Sequence, residues 1–336
     1  MIFHTPILAM ILASVITSII VLWSAFFALK VVRHWDITSG HARQLTLEKR
    51  TYLVTTALKF VLALELFSLI LFVTNADQMA PMFTGAMCAV GVLNVNEYGM
   101  PALLLKLAVF FGASVWLILN HADEQGRDYP LAKHKYALLT ILAPLVLITS
   151  LIQFLYFYNL HADVITSCCS RLFVPEGKGL QASLSAMDPM SALYMLFISF
   201  GLLVLLAFWL RGSKRNNRFG RALFGPVAIG FFTVAIIAIT SVISSYIYEQ
   251  PHHHCPFDIL KWQYGYIGFA LYIPLFTGTA FGLAAGLMSL FPTPSSLLEA
   301  YPRMIARNIT ISAVLMTIFM AFILLAIGRS HLILFG

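Results

Sequence analysis

The amino-acid sequence predicts an all-α, polytopic membrane bundle of about eight transmembrane helices with both termini extracytoplasmic. Three observations carry this. Of the 336 residues, 60% are hydrophobic and only 10% charged, against about 25% charged in an ordinary soluble domain. Apolar runs of about 20 residues recur along the chain, each able to cross the hydrocarbon as a helix whose backbone groups bond internally. Lys and Arg are unevenly divided between alternate loops, which fixes the sidedness.

The spans fall at about 5–29, 52–74, 101–120, 137–159, 190–210, 222–248, 263–290 and 309–328. Residues 1–336 therefore read as a single integral membrane domain. The first run has no basic residue before it and is longer than a signal-peptide core, so it reads as a retained helix. The second and third carry ionisable residues, Lys59 with Glu65 and then Lys106. The fourth ends in Gln153, Tyr156, Tyr158 and Asn159, a polar aromatic rim, and Tyr246 and Tyr248 end the sixth in the same way. The seventh repeats Gly278, Gly282 and Gly286 after Pro274, a face that lets another helix approach closely. No alternating strand pattern of a β-barrel is seen.

The loops after the first, third, fifth and seventh spans hold 15 of the 21 Lys and Arg, and the opposite loops and C-terminal tail hold four. The basic loops are thus expected in the cytoplasm, in a multi-pass inner-membrane protein. The net charge of +7 is accounted for by topology. It is no nucleic-acid footprint, because the cations are spread over four loops with no reading motif.

All four cysteines then fall on the extracytoplasmic side: Cys88, the vicinal pair Cys168 and Cys169, and Cys255, which follows His252, His253 and His254. That side is oxidising in most cells. One reading is structural, two disulfides stapling three loops of a non-catalytic anchor or assembly subunit, for instance Cys88 to one member of the pair and Cys255 to the other. Four cysteines permit three connectivities. A second reading is redox. Outward thiols can pass electrons from an extracytoplasmic partner to a lipid-soluble quinone by thiolate attack through a mixed disulfide. The layout is similar to that of membrane disulfide-forming enzymes and quinone-linked epoxide reductases. Those normally carry Cys-x-x-Cys, whereas Asp258 stands three residues after Cys255 here. A third reading is metal binding or transfer, with His252, His253, His254, Cys255, Cys168 and Cys169 as copper or zinc ligands and a metal-carrier protein as partner. Three successive histidines in an extended loop point alternately, so at most two meet one ion.

Buried bis-histidine haem does not fit, since all ten histidines map to loops or span ends. Ionisable groups inside the bilayer cost about 2.5–3.5 kcal/mol on insertion scales and mark candidate sites. Lys59 can snorkel to the interface, but Glu65 near mid-depth cannot. Lys106 lies about 6 Å further along the membrane normal, so an intramembrane ion pair with Glu65 is expected. It is either a clamp between helices or a proton-handling site in which Glu65 serves a quinone. Lys106, Gln153 and Tyr156 are the candidate quinone-binding residues. Phosphate-binding loops, nucleophile elbows and His-Glu-x-x-His are absent. The lipid bilayer is the certain partner, and a larger membrane complex would supply any soluble catalytic work.

Overall fold

A computed structural model describes residues 4–36, 41–126, 128–161, 164, 166, 187–212, 218–251 and 253–332. Among these residues there is no strand, and eight helices are long and apolar enough to cross a membrane. In chain order they are α1 (Thr5–His34), α2 (Ala42–Met79), the short α3 (Ala89–Leu93), α4 (Gly99–Asp123), α5 (Ala132–Tyr158) and α6 (Pro189–Gly212). Then come α7 (Arg218–Ala238), one turn of π-helix (Ile239–Ile243), α8 (Ser244–Tyr248), α9 (Ile267–Leu290) and α10 (Ala300–Arg329). α7, the π turn and α8 together make the sixth span.

Helices outrun the apolar stretches that predict them. α2 begins at Ala42, well before the hydrophobic run, because its first turns are stabilised by local polar bonds. Gln44 Nε2 donates to Glu48 Oε1 at 2.9 Å, one turn on, a spacing that supports a helix, and Leu47 between them is buried in the core of the first unit. The chain divides into two compact units. One comprises Met1–Thr84, Val92–Ile165 and Phe291–Met304, and the other comprises Gly85–Gly91, Thr166–Leu290 and Ile305–Gly336.

The first unit packs α1, α2, α4 and α5 around a core that includes Val21, Phe27, Leu58, Val109, Trp116, Tyr136 and Leu139. At one end of this core lies a buried ion pair. Lys135, one of the cations of the basic loops, is wholly buried in the first turn of α5, with its Nζ 2.6 Å from Asp123 Oδ2. The same ammonium donates to Asn120 Oδ1 at 2.9 Å and stands 5.7 Å from the Tyr129 ring centroid. The other oxygen, Asp123 Oδ1, accepts the backbone N–H of Leu131 at 2.7 Å. Trp116 Nε1 donates to the Lys135 carbonyl at 3.0 Å. One carboxylate thus satisfies both a buried cation and the turn between α4 and α5. Lys59 does not merely snorkel: it pairs with Glu124 beside this network. Burial works against the charge on Glu124, but hydrogen bonds from Lys59 and Asn120 outweigh it and hold the carboxyl below its usual range.

The second unit is built on α6, α7, α9 and the part of α10 beyond Met304. The glycine face of α9 does what its spacing predicts. A Cβ on Gly286 would lie 2.8 Å from the Cα of Gly225 and 2.9 Å from its nitrogen, so the α7 and α9 backbones meet there. One turn earlier, Gly282 faces Ala228 of α7 and Ser312 of α10. Close backbone approach of this kind lets helices gain dispersion contacts that apolar surface in lipid cannot supply.

Two outcomes follow. Asp123→Ala leaves a buried ammonium uncompensated and is expected to destabilise the protein by about 3–5 kcal/mol, whereas a double change to Leu at 123 and Met at 135 restores most of it. Thermal unfolding in detergent, compared across the three proteins, checks this. Gly286→Ala should cost about 1–3 kcal/mol by overpacking against backbone that cannot rotate away. The same substitution at Gly201, inside α6 where a Cβ meets nothing within 4 Å, should not lower the melting temperature, since alanine is the better helix former.

Candidate functional site

The candidate site lies in the second unit, on the connection between α8 and α9 and on the segment 85–91. α8 stops at Glu249, whose backbone is left-handed at φ 54°. Pro251 and Pro256 then deny the connection the donors that a continued helix needs. The loop is held instead by two tyrosines. Tyr248 donates its hydroxyl to the Cys255 carbonyl, and Tyr272 of α9 donates to the Pro256 carbonyl at 2.6 Å. The backbone just after the cysteine is therefore fixed from two helices.

The segment bearing Cys88 is anchored just as firmly. Gly85 is left-handed at φ 88°, and a Cβ there would run into the Thr166 carbonyl. Only glycine meets both demands at once. Thr166 in turn donates its hydroxyl to the Gly91 carbonyl at 2.9 Å. On the far side Lys261 Nζ donates to the Met87 carbonyl at 3.3 Å.

These anchors bring the two cysteines together. Cys88 and Cys255 are each 1% exposed and pack with Val90 in one small apolar cluster, with Phe257 against it. Their sulfurs and one carboxylate oxygen of Asp258 all lie within 4.8 Å of one another. Among the described residues no two cysteines stand at bonding distance. Asp258 is gripped on both oxygens: His253 Nε2 lies 3.0 Å from Oδ2, and Lys261 Nζ lies 2.6 Å from Oδ1. Burial raises its affinity for a proton, but the hydrogen bonds from His253 and Lys261 prevail and hold the carboxyl below the usual carboxylate range. A carboxylate thus stands charged beside two buried sulfurs, balanced by Lys261.

Cys88 and Cys255 are brought to one point, a pairing that a staple through the vicinal cysteines would not use. His253 turns to Asp258, while His254 Nδ1 lies 3.3 Å from Ser245 Oγ, so the two point apart as alternation in an extended loop requires. Cys168, Cys169 and His252 lie outside the described residues. Asp258 is the member that sequence reasoning weighed only as a hindrance. Its signal was its place five residues after His253 and three before Lys261, which a spacing search for zinc boxes does not register.

The other candidate residues lie in the first unit. Lys106 Nζ donates to Ser68 Oγ at 2.6 Å and stands 5.5 Å from the Phe72 ring centroid. Glu65 accepts a hydrogen bond from Thr17 and feels the charge of Lys106. No salt bridge joins Glu65 to Lys106 directly. The reason is helical rise: Ser68 stands about 4.5 Å along α2 from Glu65 and so meets the level of the ammonium first. The Tyr156 ring packs edge-on against Phe72 at 5.5 Å, so Lys106 and Tyr156 share that ring. Gln153 turns elsewhere, donating to the Met10 carbonyl at 3.3 Å. Phe72, Ser68 and Thr17 were missed by sequence reasoning, although 65, 68 and 72 share one helix face by spacing.

No family model, curated protein or solved structure matches this chain, so the site is read from its own chemistry.

Mild oxidation with copper–phenanthroline should join Cys88 to Cys255 within one chain. Peptide mass mapping before and after reductant reads this directly. Linkage of either cysteine chiefly to Cys168 or Cys169 would contradict the pairing.

Proposed function

We propose that the protein is an inner-membrane thiol–disulfide electron carrier, with Cys88 and Cys255 as a dithiol that reduces the quinone pool. The observation that carries this is the meeting of the two sulfurs, from segments far apart in sequence, within 4.8 Å in a buried setting. The anchored backbones of both segments keep the sulfurs in reach of each other. In the oxidative half-reaction two thiols become one disulfide, and their two electrons and two protons convert quinone to quinol. In the reductive half-reaction a thiolate of an extracytoplasmic partner protein attacks a disulfide at Cys168 and Cys169, a second partner thiol resolves the mixed disulfide, and the two electrons pass on to Cys88–Cys255 by disulfide exchange.

Burial of Cys88 and Cys255 shields them from a bulky partner. Cys168 and Cys169, on the same side of the membrane by the Lys and Arg distribution, are the natural receiving pair. Received electrons then move inward by disulfide exchange. His253 and Lys261 hold the Asp258 carboxylate in place beside the two sulfurs. Glu65, with Lys106 and Ser68 nearby, serves as the proton-handling carboxylate inside the membrane. Quinone is the acceptor because two-electron disulfide chemistry in a multi-pass chain needs a lipid-soluble two-electron partner.

The test is the redox state of each cysteine in membranes whose quinone pool is set oxidised or reduced. The Cys88–Cys255 disulfide should follow the pool, and Cys88→Ser or Cys255→Ser should abolish dithiol-dependent quinone reduction. A disulfide that stays intact whatever the pool does, and resists mild reductant, would make the pair a staple. Glu65→Gln should slow turnover by about 10²-fold if it moves protons. Unchanged turnover with a lower melting temperature would leave Glu65 a helix clamp.

A further inference from the structure

We infer that the reduced form of the Cys88–Cys255–Asp258 cluster binds one zinc ion, and that oxidation to the disulfide expels it. The inference rests on the dithiol reading above and adds a ligand to the same site. Three donors from two separate segments converge: two sulfurs and a carboxylate oxygen, all within 4.8 Å of one another. A tetrahedral zinc with Zn–S of about 2.3 Å and Zn–O of about 2.1 Å sets such donors about 3.6–3.8 Å apart. The sulfurs and the carboxylate therefore need to close by at most about 1.2 Å.

The donor set selects the metal. Magnesium and calcium take oxygen and leave sulfur. Copper(I) is satisfied by the two thiolates and gains little from a carboxylate, whereas zinc accepts both donor types. Charge points the same way. Two thiolates beside the Asp258 carboxylate concentrate three negative charges in a site where both cysteines are 1% exposed. Buried like charges of that density persist only when compensated. A divalent ion cancels two, and Lys261, 2.6 Å from Asp258 Oδ1, cancels the third. His253 holds Oδ2 at 3.0 Å, the outer-shell hydrogen bond that orients a ligating carboxylate. Each carboxylate oxygen keeps a further lone pair for the metal. Three protein donors leave the fourth position open to water, and His254, turned to Ser245, is not needed.

The exchange balances. Zinc entering the dithiol releases two protons. Quinone then takes two electrons from the two zinc-bound thiolates and two protons from water, giving quinol, the Cys88–Cys255 disulfide and free zinc. Oxidation of the zinc-loaded site must displace the ion as the disulfide forms, so zinc acts as a brake on electron transfer.

The experiment uses the full chain in detergent, reduced and oxygen-free, titrated with zinc against a chromophoric chelator, with elemental analysis for stoichiometry. One zinc per chain is expected, with two protons released. Cys88→Ser and Cys255→Ser should each weaken binding by at least about 10²-fold, and Asp258→Asn by about 10–100-fold. Cobalt(II) added to the unmodified protein should give sulfur-to-cobalt absorption, a readout independent of whether the variants fold. Oxidation by a water-soluble quinone should release the metal in step with disulfide formation. Less than a tenth of an ion per reduced chain, or cobalt spectra without sulfur bands, overturns the inference. If the disulfide still follows quinone in that case, the dithiol reading stands without zinc. If zinc binds and no disulfide forms under any quinone poise, the dithiol reading fails and expulsion by oxidation fails with it.

Discussion

Every polar group placed among apolar helices has to find its partner inside the protein, because the surroundings offer none. This requirement organises both units. Lys135 is wholly buried because Asp123 and Asn120 reach it, and Asp123 in turn has both its oxygens met, by Lys135 and by the Leu131 N–H. Lys106 is tolerated within its span because Ser68 and the face of Phe72 receive it. Asp258 follows the same rule on the α8–α9 connection, held between an imidazole and an ammonium. Charge lies where a second charge or hydroxyl already waits, and the helices are fixed by those meetings as much as by their apolar faces.

The spans were legible because the signal for them is long and local: about 20 apolar residues in a row leave few alternatives to a membrane helix. The small-residue face of α9 was legible for the same reason, since a four-residue period is read on one helix without knowing its neighbour. Ends were less so. α2 runs back to Ala42 through a stretch too polar to read as a span, held by local bonds such as Gln44 to Glu48 and by Leu47 in the core. Lys135 looked like a loop cation and is instead a buried ion-pair partner, because its fate depends on Asp123, which lies across a turn.

The site was half legible. Segregation of the cysteines to one set of loops follows from counting, and it names Cys88 and Cys255 as candidates. Their meeting does not follow from counting. It depends on long-range bonds: Lys261 to Met87, Thr166 to Gly91 and Tyr272 to Pro256. Asp258 has a similar history. Read along the chain it is the residue that spoils a Cys-x-x-Cys motif, and read in space it completes a three-donor cluster with a cysteine from another segment.

The turn of π-helix at Ile239–Ile243 has a further consequence for this arrangement. Such a turn amounts to one residue inserted into an α-helix, and it rotates everything after it by about 100°. Tyr248 faces the Cys255 carbonyl from beyond that inserted residue. Shortening the turn by a single residue would keep a helix of nearly the same length and hydrophobicity, yet swing the phenol to a different azimuth. The phase of the sixth span, invisible in any hydropathy profile, is thereby part of what aims the sulfur loop.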